Sequence, residues 1–94
     1  MQIDTRLRVH EVAKALGYRS HTSIYALVNQ GLLTKPIALG PRATGWATSE
    51  IVAISAARGA GLDDDGIRTL VQRLQEKRKA DWVALEASVT GVQL

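Results

Sequence analysis

The chain has 94 residues, a net charge of +3 and no cysteine. That length suits one small domain, or a domain plus one long helix, with a core small enough for a partner subunit or DNA to add stability. Without cysteine there are no disulfides, zinc–cysteine fingers or thiol chemistry, and no apolar run approaches membrane-spanning length.

Residues 1–6 form a polar start that is expected to fray. The first nine residues hold Asp4, Arg6 and Arg8 but no apolar core, so no signal peptide is expected and a cytoplasmic setting follows. Leu7 and Val9 alternate with Arg8 and His10, which predicts a short extended piece. It leads into a first helix over 10–16. That helix has no strong N-cap, so packing of Leu7 and Val9 must anchor it.

Val12, Ala13 and Leu16 recur at helical spacing, and Gly17 ends the run. Gly17, Tyr18, Arg19 and Ser20 make the turn, with Tyr18 folding back on the hairpin. Ser20 caps a second helix over 21–30, in which Ile24, Leu27 and Val28 share one face. Gly31 stands at its C′ position, and Leu32 and Leu33 cover the bottom of the pair. Ala13 is small enough for a close crossing, and Ile24 can plug it. A helix-turn-helix is built this way, with the outer face of its second helix free. An ordinary αα-hairpin carries the same pattern, so the residues after Leu33 decide between them.

Pro36 rules out a helix interior. Residues 36–39 read as a strand, 40–45 as a loop with two glycines and a proline, and Trp46-Ala47 as the returning strand. A hairpin here is a wing with a basic tip, Arg42. A loop that only packs Trp46 is the alternative, and Trp46 is core in both. Thr48 is expected to cap a third helix, with Ser49 and Glu50 in its first turn and Glu50 complementing the dipole. Ile51, Ile54 and Ser55 are expected to face inward. Residues 59–61, Gly-Ala-Gly, break that helix and form the one plausible boundary.

The expected organisation is therefore a DNA-binding domain over 1–61, a C-terminal helix within 62–88 and a tail over 89–94. Asp63, Asp64 and Asp65 open the last helix as cap and dipole complement rather than as a metal site. Ile67, Leu70, Val71, Leu74, Arg78, Trp82 and Leu85 trace one stripe along it. So long a helix needs more to pack on than a small domain offers. Leu74, Arg78, Trp82 and Leu85 are the expected dimerisation residues, against a solvated helix as the alternative.

Charge is distributed unevenly. Residues 1–61 carry seven cations (Arg6, Arg8, Lys14, Arg19, Lys35, Arg42, Arg58) against Asp4, Glu11 and Glu50, a net of +4, and the remainder nets −1. The positive charge belongs to the helix-turn-helix half. Catalysis is not expected. His10 and His21 sit on different elements, and Gly59-Ala60-Gly61 lacks the lysine of a phosphate-binding loop.

Leu7 with Glu11-Val12 and Leu16-Gly17 resembles the start of MerR-like winged helices. Ser23-Ile24-Tyr25, Gly31, Lys35-Pro36, Leu39-Gly40-Pro41-Arg42-Ala43, Gly45-Trp46 and Ser49-Glu50-Ile51 resemble the AlpA-type phage regulatory family. The resemblance covers about residues 6–60 and is most specific over 39–46. It implies a mainly α, winged helix-turn-helix fold with a β-hairpin wing, here extended by an additional C-terminal helix. Members are small DNA-binding regulators of phages and prophages, and related winged helices serve as excisionases. The turn before Ser23 is one residue longer than the family pattern, and many members end near the third helix.

By resemblance, the helix over 21–30 reads the major groove and the loop around Arg42 is the wing. His21 and Thr22, with Ser20 at the helix start, are placed to meet base edges, and Asn29 to pair with adenine. Ser23 and Tyr25 suit phosphates, as do Arg19, Lys35 and Arg42 with Lys14 beside them, and Thr44 completes the wing. The expected function is a sequence-specific transcriptional regulator of phage or prophage type. An excisionase-like or packaging-type architectural DNA-binding protein is the alternative, and a protein-interaction module on the same fold is a third reading. The expected partners are double-stranded DNA and a homodimer mate or side-by-side copies, with no cofactor, metal, membrane or small-molecule effector.

Overall fold

A computed structural model describes residues 4–91. The chain runs β1 (Arg6–Leu7), α1 (Val9–Leu16), α2 (His21–Asn29), β2 (Ile37–Gly40), β3 (Ala43–Ala47), α3 (Thr48–Gly59) and α4 (Asp64–Gly91). This is a mainly α winged helix-turn-helix with an additional C-terminal helix. Residues 1–3 of the expected polar start, and 92–94 of the expected tail, lie outside the described residues.

The helical pair forms for local reasons. Gly17 takes φ +82°, a left-handed conformation that lets the chain leave α1 abruptly. Ser20 sits in extended backbone and its Oγ accepts the Ser23 N–H at 3.3 Å, capping α2. At the other end Gly31 takes φ +76°, and the Leu32 N–H reaches back to Leu27 O at 2.9 Å. Ile24, with no exposed surface, plugs the crossing against Val12 and Ala13.

The start of α1 is anchored as expected, with no side-chain cap from Arg8 and with Leu7 and Val9 packed on the core. The Glu11 carboxylate, three residues in, accepts the Arg8 N–H at 2.9 Å, the returning half of a capping box, and both apolar anchors are half-buried. Tyr18 remains partly exposed, beside Leu16, Leu27 and Leu32.

The three strands form an antiparallel sheet in the order β1-β3-β2, with Leu7 opposite Trp46 and Ala38 opposite Thr44. The extended piece before α1 is thus the third strand of the wing. The loop expected over 40–45 shrinks to a turn at Pro41 and Arg42, because Ala43 already starts β3. Gly45 lies inside that strand for a steric reason. A Cβ there would sit 2.8 Å from both Leu7 O and Leu39 Cδ1, so the missing side chain admits its neighbours.

The capping of α3 is also different. Its N-cap is Ala47, not Thr48. The Thr48 N–H donates to Thr5 O at 2.9 Å and the Ser49 N–H to Asp4 Oδ1 at 3.2 Å, so the N-terminal segment satisfies this helix from outside. Pairing of β1 with β3 brings Asp4 and Thr5 there. Ile51 and Ile54 are buried as expected, whereas Ser55 is exposed.

Gly61, at φ +92°, turns the chain after α3, and Asp63 caps α4 through the Gly66 N–H at 2.9 Å. Asp64 pairs with Arg58 and Asp65 with Arg68, which occupies the acidic triplet. Ile67 and Val71 are buried in the core and Leu70 and Leu74 pack against it. From Lys79 to Val89 every residue is exposed. At 1.5 Å per residue, α4 is about 42 Å long, so its second half runs past the core as an overhang, where Asp81, Ala84, Leu85 and Ser88 border an open cleft with Asp4, Arg6, Ile37 and Ala47.

Candidate nucleic-acid interface

On α2, His21, Thr22, Tyr25 and Asn29 are exposed. At 100° per residue they fall within an arc of about 100°, away from Ile24 and Leu27. These four form one accessible face. Ser20 and Ser23 are placed differently. Their hydroxyls bond to each other at 3.0 Å in the cap, and Ser23 is half-buried. Arg19 stands exposed in the turn just before this face.

The wing is set against the same helix. Trp46 is fully buried and donates its Nε1–H to Thr34 O at 2.7 Å. The ring of Tyr25 lies 6.0 Å from that of Trp46, tilted by 52°, so α2 and β3 touch through two aromatic rings. Arg42 is exposed at the turn, and Thr44 is exposed in β3. Lys35 lies elsewhere, along a cleft with Gln75, Glu76 and Lys79 of α4.

Charge pairing separates the basic residues into two groups. Among the described residues, the ion pairs Arg58–Asp64, Arg68–Asp65, Lys77–Asp81 and Arg78–Glu50 each include a residue of α4. In the earlier half the carboxylates are committed: Asp4 to Ser49, Glu11 to the Arg8 N–H and Glu50 to Arg78. Among the described residues no ion pair engages Arg6, Arg8, Lys14, Arg19, Lys35 or Arg42, nor Arg73 or Lys79 of α4. Their field reaches solvent largely uncancelled, which is what an anionic partner responds to.

The four residues expected at a dimer contact are divided by the structure. Leu74 packs on the core of its own chain and Arg78 closes on Glu50. Trp82, 58% exposed, and Leu85, which borders the cleft toward Ile37 and Ala47, remain on the overhang. Sequence reasoning missed the pairing of Glu50 with Arg78, having assigned Glu50 to the helix dipole. The signal was a lone arginine inside an apolar stripe, which calls for a carboxylate beneath it.

Among the described residues no cluster of histidine, aspartate and glutamate is arranged to hold a metal ion, and no helix is long and apolar enough to cross a membrane. Residues 5–53, more than half of the chain, match the family model described as prophage CP4-57 regulatory protein (AlpA). That segment runs from β1 into α3 and contains the whole exposed face of α2 and the wing. No curated protein and no solved structure matches the chain.

Proposed function

The chain belongs to the AlpA family of prophage regulatory proteins, and from that premise we propose that it is a sequence-specific DNA-binding transcriptional regulator. In this reading α2 enters the major groove with His21, Thr22, Tyr25 and Asn29, while Arg42 at the wing tip lies along the backbone or in the minor groove. The observation that carries it is the coincidence of one exposed polar helix face with neighbouring cations, Arg19 and Arg42, that have no ion-pair partner among the described residues.

The roles divide by chemistry. Side chains on the α2 face discriminate bases, each good contact contributing roughly 1–3 kcal/mol. Arg19, Arg42 and Lys14 displace counterions and supply salt-dependent affinity. Ser20 and Ser23 act by holding the first turn of α2, so that its free N–H groups and His21 face the duplex. One domain has a small footprint. Two copies on half-sites about 34 Å apart, or copies side by side on direct repeats, extend it. The role calls for no cofactor and no catalysis.

The test is a salt-titrated binding measurement on the DNA upstream of the gene, with wild type and Arg42→Ala. Selective binding that weakens in the variant, with a salt slope smaller by about one, supports a wing-assisted reader. Equal affinity for random duplex removes sequence-specific regulation. A footprint over direct repeats with a sharp bend favours the architectural role instead.

A further inference from the structure

The connector from Gln30 to Lys35 joins the end of α2 to the base of the wing, and α4 grips it at both ends. At the first end, Arg68 Nε donates to Gln30 O at 2.9 Å, and the Arg68 stem lies over Gly31, 3.6 Å from where a Cβ would stand. At the other end, the Lys35 N–H donates to Gln75 Oε1 at 2.9 Å and Lys35 O accepts from Arg78 Nη2 at 2.8 Å. Arg78 is itself held by the Glu50 carboxylate of α3. Between the grips, Thr34 O receives the indole N–H of Trp46, whose ring meets Tyr25.

The N–H groups of Gln30, Gly31 and Leu32 bond back into α2, whereas Gln30 O and both backbone groups of Lys35 are satisfied by side chains of α4. Those side chains thereby fix where the chain leaves α2 and where it enters β2. A small displacement of the connector swings the wing relative to the helix. Both must meet one duplex, so that angle decides whether their contacts are made together.

Resting on the DNA-binding reading above, we propose that Arg68, Gln75 and Arg78 are positioning residues for DNA recognition. Through them α4 is a strap that sets the angle between α2 and the wing. The strap lies in the part of the chain beyond the family match. Gln75 is its most informative member, because it is uncharged. Its loss removes one hydrogen bond and changes no long-range field, so any fall in DNA affinity reports geometry rather than counterion release.

The full chain is compared with Gln75→Ala and with Arg78→Lys, which keeps a cation beside Glu50 and gives up the guanidinium fork. DNA affinity is titrated against salt well below each melting midpoint. Amide exchange is followed at Gly31 and Leu32, whose N–H groups bond to Val28 O and Leu27 O at the far end of the connector. The strap predicts affinity lower by roughly 2- to 30-fold in both variants. It also predicts an unchanged salt slope and faster exchange at both amides. Wild-type affinity and wild-type exchange in the variants overturn it, even if their melting midpoints fall. A salt slope smaller by about one marks a lost phosphate contact and also overturns it. If wild type binds no DNA while the variants still exchange faster, the DNA reading fails and the strap stands as a purely structural device. If exchange is also unchanged, both fail.

Discussion

Arg78 closes on Glu50 with two hydrogen bonds, Nη2 to Oε1 at 2.6 Å and Nε to Oε2 at 2.7 Å, across 28 residues of sequence. The Glu50 side chain is only 7% exposed, so its charge depends on this fork for compensation. Arg78→Ala leaves a buried carboxylate without its partner, and is expected to destabilise by about 3 kcal/mol. Urea denaturation measures the loss. The double variant Glu50→Leu with Arg78→Leu is expected to recover most of it, since a buried pair replaced by apolar side chains costs far less than a broken one. A double variant as unstable as Arg78→Ala would show that the pair contributes more than mutual neutralisation.

A second prediction concerns a hydroxyl. Thr34 is fully buried, and among the described residues its Oγ1 has no hydrogen-bond partner. A buried polar group without a partner is costly, so Thr34→Val, close in shape, is expected to stabilise by about 1 kcal/mol. Thermal unfolding reads this directly. The backbone carbonyl of residue 34 remains to accept from Trp46, so the wing stays anchored. A lowered melting midpoint would mean that the hydroxyl is satisfied in solution.

These two sites mark where sequence reading stopped. The helical pair was legible because its determinants are local: Ala13, Gly17, Ser20, Ile24 and Gly31 each act within a turn or two. The wing was legible as a hairpin but not as three strands, because pairing of Leu7 with Trp46 spans the helix-turn-helix. For the same reason Thr48 was misread as a cap. Asp4 and Thr5, which satisfy the start of α3, reach it only once β1 has paired. On the candidate interface, exposure of His21, Thr22, Tyr25 and Asn29 followed from helical periodicity. Engagement of the Ser23 hydroxyl in the Ser20 cap is a local contact three residues apart that was overlooked, whereas placement of Lys35 on the α4 side depended on geometry that no spacing encodes.

Gly45 gives the third prediction. In Gly45→Ala, the new Cβ meets Leu39 Cδ1, which can rotate away, and Leu7 O, which belongs to paired backbone and cannot. The clash therefore opens β1 from β3 and loosens Asp4 and Thr5 from α3. The expected cost is about 1–3 kcal/mol, as for other overpacked sites. On the proposed function, weaker DNA binding accompanies it. Gly40→Ala is the control, because nothing lies within 4 Å of its Cβ position. Equal stability of the two variants would show that the sheet can absorb the methyl.

The last prediction tests self-association. Ile67, Val71, Leu74, Arg78, Trp82, Leu85 and Val89 succeed one another at steps of three or four, so they lie along one side of α4. The first four of these meet their own domain, while Leu85 borders an open cleft shared with Arg6, Ile37 and Ala47 of the sheet and Trp82 and Val89 are each 58% exposed. If a second copy covers that overhang, Trp82→Glu with Leu85→Glu shifts the chain to monomer, measured by sedimentation equilibrium. The fold is expected to persist, because both positions lie beyond the core and Trp46 reports its integrity independently. On paired half-sites, the variant should bind as independent monomers, with a shallower titration and weaker affinity, while its affinity for a single half-site is unchanged. A wild-type chain that is already monomeric, and binds paired sites no more tightly than single ones, would instead assign the overhang to solvent. The burial pattern separates these outcomes cleanly: Leu74 and Arg78 stay engaged within the chain in either case, so only the segment after them can report the partner.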